Sequence, residues 1–361
     1  MRAKRGSPPP RKAVVAAVCA LIVAMSGAPP GHAWCDFLTI FNSGDSNSEG
    51  GFWAAFPAQS VPFGRPSVGP PAGLLTGRLE HAAQALGIPF LSPYLQSIGS
   101  NYTHGANFAT LASTVMLPNT SQFVTGISPF SLAIQLSQMK QFKVRVLELV
   151  LEGGSLPPED IFGRSLYTLD IDRNDFPSNL AAVGSDGFKQ YLPQVVDQIA
   201  WTIRELYAIG GRTFLVSNLA PVGCCPHGCV VSYNDAVEQY NILLKEALRR
   251  TQSSLAGATV VYADIHAVKL ELLRHPADHV CCGYGGGASN FDPRVYCGNT
   301  KVIDGTAVTA TACADPQNYV SWDGIHATEA ANKLVAAAIL GASYLDPPFR
   351  LADHCGLQPI G

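Results

Sequence analysis

Hydrophobic residues recur along the chain in two rhythms. Short apolar, β-prone runs over residues 37–41, 165–171, 213–216 and 259–263 have the length of buried strands and stop at small or polar residues. Between them the spacing changes to that of helices. Leu132, Leu136, Met139 and Val146 mark one apolar face over residues 131–147. Leu192, Val195, Val196, Ile199, Ile203 and Leu206 mark another over 189–209, which Gly210 and Gly211 stop. Residues 233–250 read as a further amphipathic helix, and Leu334, Val335, Ala338 and Ile339 line a last one that ends at Gly341. Thr328 suits its N-cap, and Glu329 suits the positive end of its dipole. Strands alternating with helices predict an α/β fold, a parallel sheet covered on both faces. In such sheets ligands bind beyond the carboxyl ends of the strands.

Residues 1–33 do not fit this alternation. Arg2, Lys4, Arg5, Arg11 and Lys12 precede an apolar run over 13–25 and then the small-x-small pattern of Gly31, His32 and Ala33. This is the pattern of a secretory signal peptide. The run is shorter than the roughly 20 residues that span a bilayer, so the expectation is export without stable membrane insertion. Five of the 24 Lys and Arg lie in this segment and none of the 27 Asp and Glu does, so residues 34–361 carry a formal charge of −8. That charge argues against a nucleic-acid partner. No charged or low-complexity linker interrupts residues 34–361, which therefore read as one domain. Asn101 and Asn119 each open an Asn-x-Ser/Thr sequon, usable as glycosylation sites if the chain is exported.

Export also bears on the nine cysteines after residue 33: 35, 224, 225, 229, 281, 282, 297, 313 and 355. In an oxidising compartment most should be disulfide-bonded, and the odd number leaves one over. Cys281, Cys282, Cys297 and Cys313 could instead be a zinc set, but adjacent cysteines lack the usual C-x₂-C spacing and oxidation competes.

Candidate chemistry gathers where strands give out. Ser46 follows the first apolar run within Asn42-Ser43-Gly44-Asp45-Ser46-Asn47, where a turn or a helix start leaves backbone N–H groups free to hold an oxyanion. The same residue types also make ordinary turns. Residues 56–77, rich in Pro and Gly, read as a long surface loop near it. Over 102–110 a short extended segment contains Gly105, where the backbone comes close to something, a substrate oxygen being one candidate. The strand over 165–171 gives way to Asp172-Arg173-Asn174-Asp175. Asp323 and His326 stand on the turn leading into the last helix, a spacing that lets a carboxylate hold the imidazole while its other nitrogen serves a serine as base. Asp264 with His266, Asp278 with His279 and Asp353 with His354 are equally close in sequence. Proximity alone therefore selects no pair.

Taken in order, Gly44-Asp45-Ser46-Asn47, Gly105-Ala106-Asn107-Phe108-Ala109, Asn174-Asp175 and Asp323-Gly324-Ile325-His326 strongly resemble the plant GDSL esterase/lipase family of the SGNH hydrolase superfamily. Residues 92–114, 281–287 and 319–331 resemble its fucosidase-like and early-nodulin-like branch. The resemblance implies a three-layer α/β/α SGNH-hydrolase-like fold with a central parallel sheet, and hydrolysis of carboxylic esters without cofactor or metal. It implies Ser46 as nucleophile, His326 as base and then acid, Asp323 as orienting carboxylate, and an oxyanion hole of the Ser46 and Gly105 amides with the Asn174 side chain. Substrates would be small-molecule, glycoside, polysaccharide or lipid esters, met outside the cell or in the cell wall.

The chain departs from the family pattern at several positions. Asp172 replaces a usual glycine and would set a carboxylate against the oxyanion unless Arg173 pairs with it or it points away. Ser43 stands for a common aromatic, the threonine usual beside Glu49 is missing, and the Asp-Phe that commonly follows Gly77-Arg78-Leu79-Glu80 is absent. The stretches 223–233 and 276–281 are short, and Cys225 falls where an aromatic is usual, which nominates it as the unpaired thiol. Two competing expectations follow: a wall protein that keeps the fold and binds carbohydrate without turnover, and a glycosidase using Asp172 and Asp175.

Overall fold

The computed structural model of the chain describes residues 35–37, 39–48, 78–96, 99–117, 128, 130–149, 154–225, 228–274, 280–286 and 289–360. The signal-peptide expectation, the Asn119 sequon and the loop expected over 56–77 lie outside the described residues. Strands β1 (Thr39–Gly44), β2 (Gly105–Asn107), β3 (Ser165–Asp170), β4 (Thr213–Ser217) and β5 (Thr259–Ala263) pair in parallel, and β6 (Leu345–Asp346) closes one edge antiparallel to β5. The sheet order is β6-β5-β4-β3-β1-β2. The sheet is therefore parallel except for that one edge.

Continuous apolar runs make these strands because both faces are covered. Successive side chains point to opposite faces, so Phe41, Tyr167, Phe214 and Val260 enter one core while their neighbours Ile40, Leu166 and Val261 enter another. The larger core packs against α2 (Leu132–Leu149), α3 (Pro177–Lys189), α4 (Leu192–Ala208) and α5 (Val231–Ser254). Phe41 stacks on Phe162 and meets Phe142 edge-on within it. The opposite face carries α1 (Arg78–Ala85), α6 (Ile265–Leu273) and α7 (Glu329–Leu340). The three-layer α/β/α fold is thus present, and the expected helices over 131–147, 189–209 and 233–250 correspond to α2, α4 and α5.

The sequence pattern did not anticipate α1, α3 and α6. Helix α6 has only Ile265 and Val268 fully buried, too few to mark a stripe. Helix α3 is interrupted by Gly184, whose non-helical backbone breaks the period.

A smaller disulfide-linked region, separate from both main cores, lies between α6 and α7. Cys281 bonds Cys313, Cys282 bonds Cys297, and Trp322 packs fully buried against these cysteines. These four cysteines are joined in two disulfides, as the oxidised reading expected, and the zinc alternative falls. Cys35 and Cys355 form a third bridge, and Cys224 is disulfide-bonded as well. The expectation of a free thiol at Cys225 falls on a side chain outside those described.

Candidate active site

Register brings the polar strand ends together. Gly44 ends β1 opposite Asp170 at the end of β3, and the Asp45 amide continues the ladder to the Asp170 carbonyl at 3.1 Å. The chain then turns tightly: Asp45 Oδ1 accepts from the Asn47 amide at 2.8 Å, and the Ser48 amide donates to the Asp45 carbonyl at 3.2 Å. Residues 46–48 form this turn, and the residues that follow lie outside those described. Gly44 is required by space, since a Cβ there would come within 2.7 Å of the Asp170 carbonyl oxygen.

Ser46, only 4% exposed, sits on the turn with its Oγ 2.9 Å from His326 Nε2. His326 Nδ1–H donates to Asp323 Oδ2 at 2.7 Å, which leaves Nε2 to accept the Ser46 proton. Asp323 Oδ1 takes the Ile325 and His326 amides at 2.9 and 2.7 Å, so one carboxylate shapes the turn and holds the ring. Burial raises the Asp323 carboxyl, but the His326 charge and these donors outweigh it and hold the pKa below the usual carboxylate range. The other nearby pairs serve different ends. Asp264 caps α6 through the Ala267 amide, and Asp36 meets the His354 ring at the surface. Asp278 and His279 lie outside the described residues.

The expected oxyanion donors fare differently. The Ser46 amide donates to no partner among the described residues. Asn174, on the 3₁₀ turn Arg173–Asp175 after β3, gives one Nδ2 hydrogen to the Ser113 carbonyl at 2.9 Å and keeps the other. Gly105 is not brought to Ser46. On the edge strand β2 it pairs with Ile40, about 13 Å along β1 from Gly44 at ordinary strand rise, and its amide is spent on the Tyr102 carbonyl at 3.0 Å. A Cβ there would lie 1.9 Å from the Ile40 carbonyl oxygen. The backbone that Gly105 approaches is that of β1 and no substrate.

The residue that sequence reasoning missed is Ala112. It adopts φ 59°, rare for a non-glycine, and its amide has no partner among the described residues. It lies between Thr110, whose amide reaches the Gly44 carbonyl at 3.4 Å, and Ser113, which Asn174 grips. Alanine conceals that conformation in the sequence, where a glycine would have signalled it.

Asp172 is buried beside two other carboxylates. Burial first, then the Asp45 and Asp170 carboxylates, push its carboxyl well above the usual range against the neighbouring Tyr240 hydroxyl. It lines a cavity of about 20 Å³ with Asp45, Asp170, Arg173, Asn218 and Lys269, and neither Ser46 nor Asn174 lines that cavity. Its backbone carries the cost, at φ 148°. Asp175, also fully buried, accepts the Val115 and Met116 amides at 2.7 and 3.1 Å and so anchors the segment after Ala112. Burial lifts its pKa to about 7 in spite of those donors.

A serine in hydrogen-bond reach of a carboxylate-held imidazole, at the carboxyl end of a parallel sheet, defines a serine hydrolase of the α/β/α class. Comparison with known proteins narrows the class. Residues 40–339 match the model of the GDSL-like Lipase/Acylhydrolase family. The chain is 56% identical to a GDSL esterase/lipase of Arabidopsis thaliana, over 93% of this chain and 96% of that one. It is 35% identical to GDSL esterase/lipase ENOD8 of Medicago truncatula over 94% and 95%, and 37% identical to a protein of Arabidopsis thaliana named alpha-L-fucosidase 3 over 89% and 95%. This chain belongs to the plant GDSL esterase/lipase family, and it is a serine ester hydrolase.

Proposed function

We propose that the protein is a secreted esterase that opens acyl or acetyl esters through an acyl-enzyme on Ser46. The observation that carries this reading is the unbroken path from Ser46 Oγ to His326 Nε2 and from His326 Nδ1 to Asp323. His326 takes the Ser46 proton as Oγ attacks the ester carbonyl, and Asp323 stabilises the imidazolium. The developing oxyanion is held by the Ser46 amide, the free Asn174 Nδ2 hydrogen and the Ala112 amide, the last taking the place given to Gly105. His326 then protonates the leaving alcohol and activates the water that releases the acid.

Substrates in this reading are acetyl or acyl esters of glycosides, wall polysaccharides or lipids. Secretion is supported by the N-terminal pattern, the disulfides and the exposed Asn101 sequon. No helix among the described residues is long and apolar enough to cross a membrane. A glycosidase built on Asp172 and Asp175 is disfavoured: both are buried, and both Asp175 oxygens are committed to backbone amides.

The test is hydrolysis of p-nitrophenyl acetate and butyrate by the secreted protein, with fluorophosphonate labelling, beside Ser46→Ala. Turnover and labelling should both vanish in the variant. Turnover that survives Ser46→Ala would remove the acyl-enzyme reading, whereas specific carbohydrate binding by an inert, unlabelled wild type would favour the wall-protein alternative.

A further inference from the structure

His326 stands two residues before Thr328, the N-cap of α7, while the N-terminal side of its loop is held outside the two main cores. The start of its loop, Ser321 and Trp322, is tied to one short segment, residues 280–282. The Cys281 amide donates to the Ser321 carbonyl at 3.0 Å and the Cys282 amide to the Trp322 carbonyl at 2.6 Å, while Val280 bridges Ser321. Ser321 in turn bridges Ala327, and the Trp322 amide closes the loop onto the His326 carbonyl at 2.8 Å. Gly324, at φ 86°, passes so close to the Phe291 ring that a Cβ would come within 2.3 Å of it. The restraints from Val280, Cys281, Cys282 and Phe291 come from the disulfide-linked region, and the other two close the loop on itself.

Adjacent residues on an extended segment send their side chains to opposite sides. Cys281 and Cys282 use this to secure one segment from two directions, to Cys313 32 residues on and to Cys297 15 residues on. The Cys313 amide adds a backbone bond to the Cys281 carbonyl, and residues 311–312 pair with 282–283. Trp322, one residue before Asp323, is buried in a cluster with these cysteines, Ala312 and Tyr319.

We propose that the paired disulfides Cys281–Cys313 and Cys282–Cys297 are positioning elements for the reaction, a clamp that holds His326 within reach of Ser46. The clamp rests on the esterase reading above for its consequence but not for its geometry. Opening a bridge needs a dithiol reductant: its thiolate attacks one sulfur, the mixed disulfide closes to the oxidised cyclic reagent, and two protein thiols remain, two electrons and two protons having passed to the protein. Freed of the bridge, the 280–282 segment no longer fixes Ser321 and Trp322, the start of the histidine loop. The main sheet keeps its own core.

The experiment compares the secreted full chain with Cys281→Ser/Cys313→Ser, Cys282→Ser/Cys297→Ser and, as reference, Cys35→Ser/Cys355→Ser. Readouts are kcat and KM on p-nitrophenyl acetate, far-UV circular dichroism, and the downfield imidazole N–H proton resonance of the His326–Asp323 bond. Each clamp variant should lose kcat by about 100-fold, the scale of a small misplacement of a reacting group, with KM far less changed. The N–H resonance should broaden or vanish while the circular dichroism persists. The reference variant should keep both kcat and the resonance.

If a clamp variant fails to fold, the wild type is titrated with dithiothreitol and the open bridges are mapped by alkylation and mass spectrometry. Activity and resonance must then fall with opening of the clamp bridges. A folded variant or reduced wild type with kcat and resonance intact overturns the clamp. Because the resonance is read without turnover, a wild type inert on esters would sink the esterase reading and still decide the clamp.

Discussion

The two halves of this site are held by different physics. Ser46 ends a strand flanked on both sides by parallel neighbours, with Phe41 and Ile40 buried in the two main cores. His326 hangs from loops with little core of their own, around one buried tryptophan and two disulfides. One half is rigid because its apolar surface is buried, the other because covalent cross-links close its loops. Within the triad the halves meet at the single 2.9 Å contact between Ser46 and His326. Damage to either side should therefore act differently, through stability on the serine side and through turnover on the histidine side.

The largest effect should come from Asp323→Asn. The amide favours the wrong imidazole tautomer while keeping the turn, so kcat should fall about 10⁴-fold with an unchanged melting temperature. A variant that loses stability in step with activity would mean that the histidine half is part of the main fold after all. Asn174→Ala, which removes the proposed side-chain oxyanion donor, should lower kcat by about 10² to 10³ with little change in KM. Steady-state kinetics on p-nitrophenyl acetate read both.

Phe41→Ala is the converse. Emptying a core position between Phe142, Phe162 and Tyr167 should cost about 3–5 kcal/mol in denaturant unfolding, while the remaining folded fraction turns over normally. Asp172→Gly should raise stability by about 1–3 kcal/mol, because it relieves the backbone at φ 148° and removes a buried carboxyl. Unchanged stability would show that the strain is compensated in the 20 Å³ cavity.

The last effect is a slope with pH. Asp175, with a native pKa of about 7 against an ordinary carboxylate value when unfolded, holds an extra proton in the folded chain between about pH 4 and 7. Its contribution favours folding at the acid end and fades as pH rises through 7. Relative to Asp175→Asn, the wild type should gain stability as pH falls from 8 to 5, measured by thermal unfolding. A gain in the opposite direction would mean that the Val115 and Met116 amides dominate over burial.

Much of this was legible in one dimension. The strands at β1, β3, β4 and β5 and the helices at α2, α4 and α5 follow from apolar runs and stripes, since burial against a neighbouring layer imposes those periods on any sequence. The GDSL-type stretch around Ser46 and the Asp323-Gly324-Ile325-His326 turn were legible because their chemistry is local: an Asx turn forms its bonds within three residues. Gly105 was legible as a close approach, but its neighbour was set by pairing with Ile40, which no local pattern contains.

The sequence by itself determined the layers, the order of the elements and the residue types of the triad. Tertiary structure decided what spacing along the chain left open: that Asp264 caps a helix and Asp36 meets His354, that Asn174 grips the segment after Ala112 and not Gly105, and which cysteines pair around Trp322. The physical reason is distance along the chain. Local propensity and periodicity act over a few residues, whereas Ser46 and His326 are 280 residues apart and meet only through sheet register, core packing and cross-links.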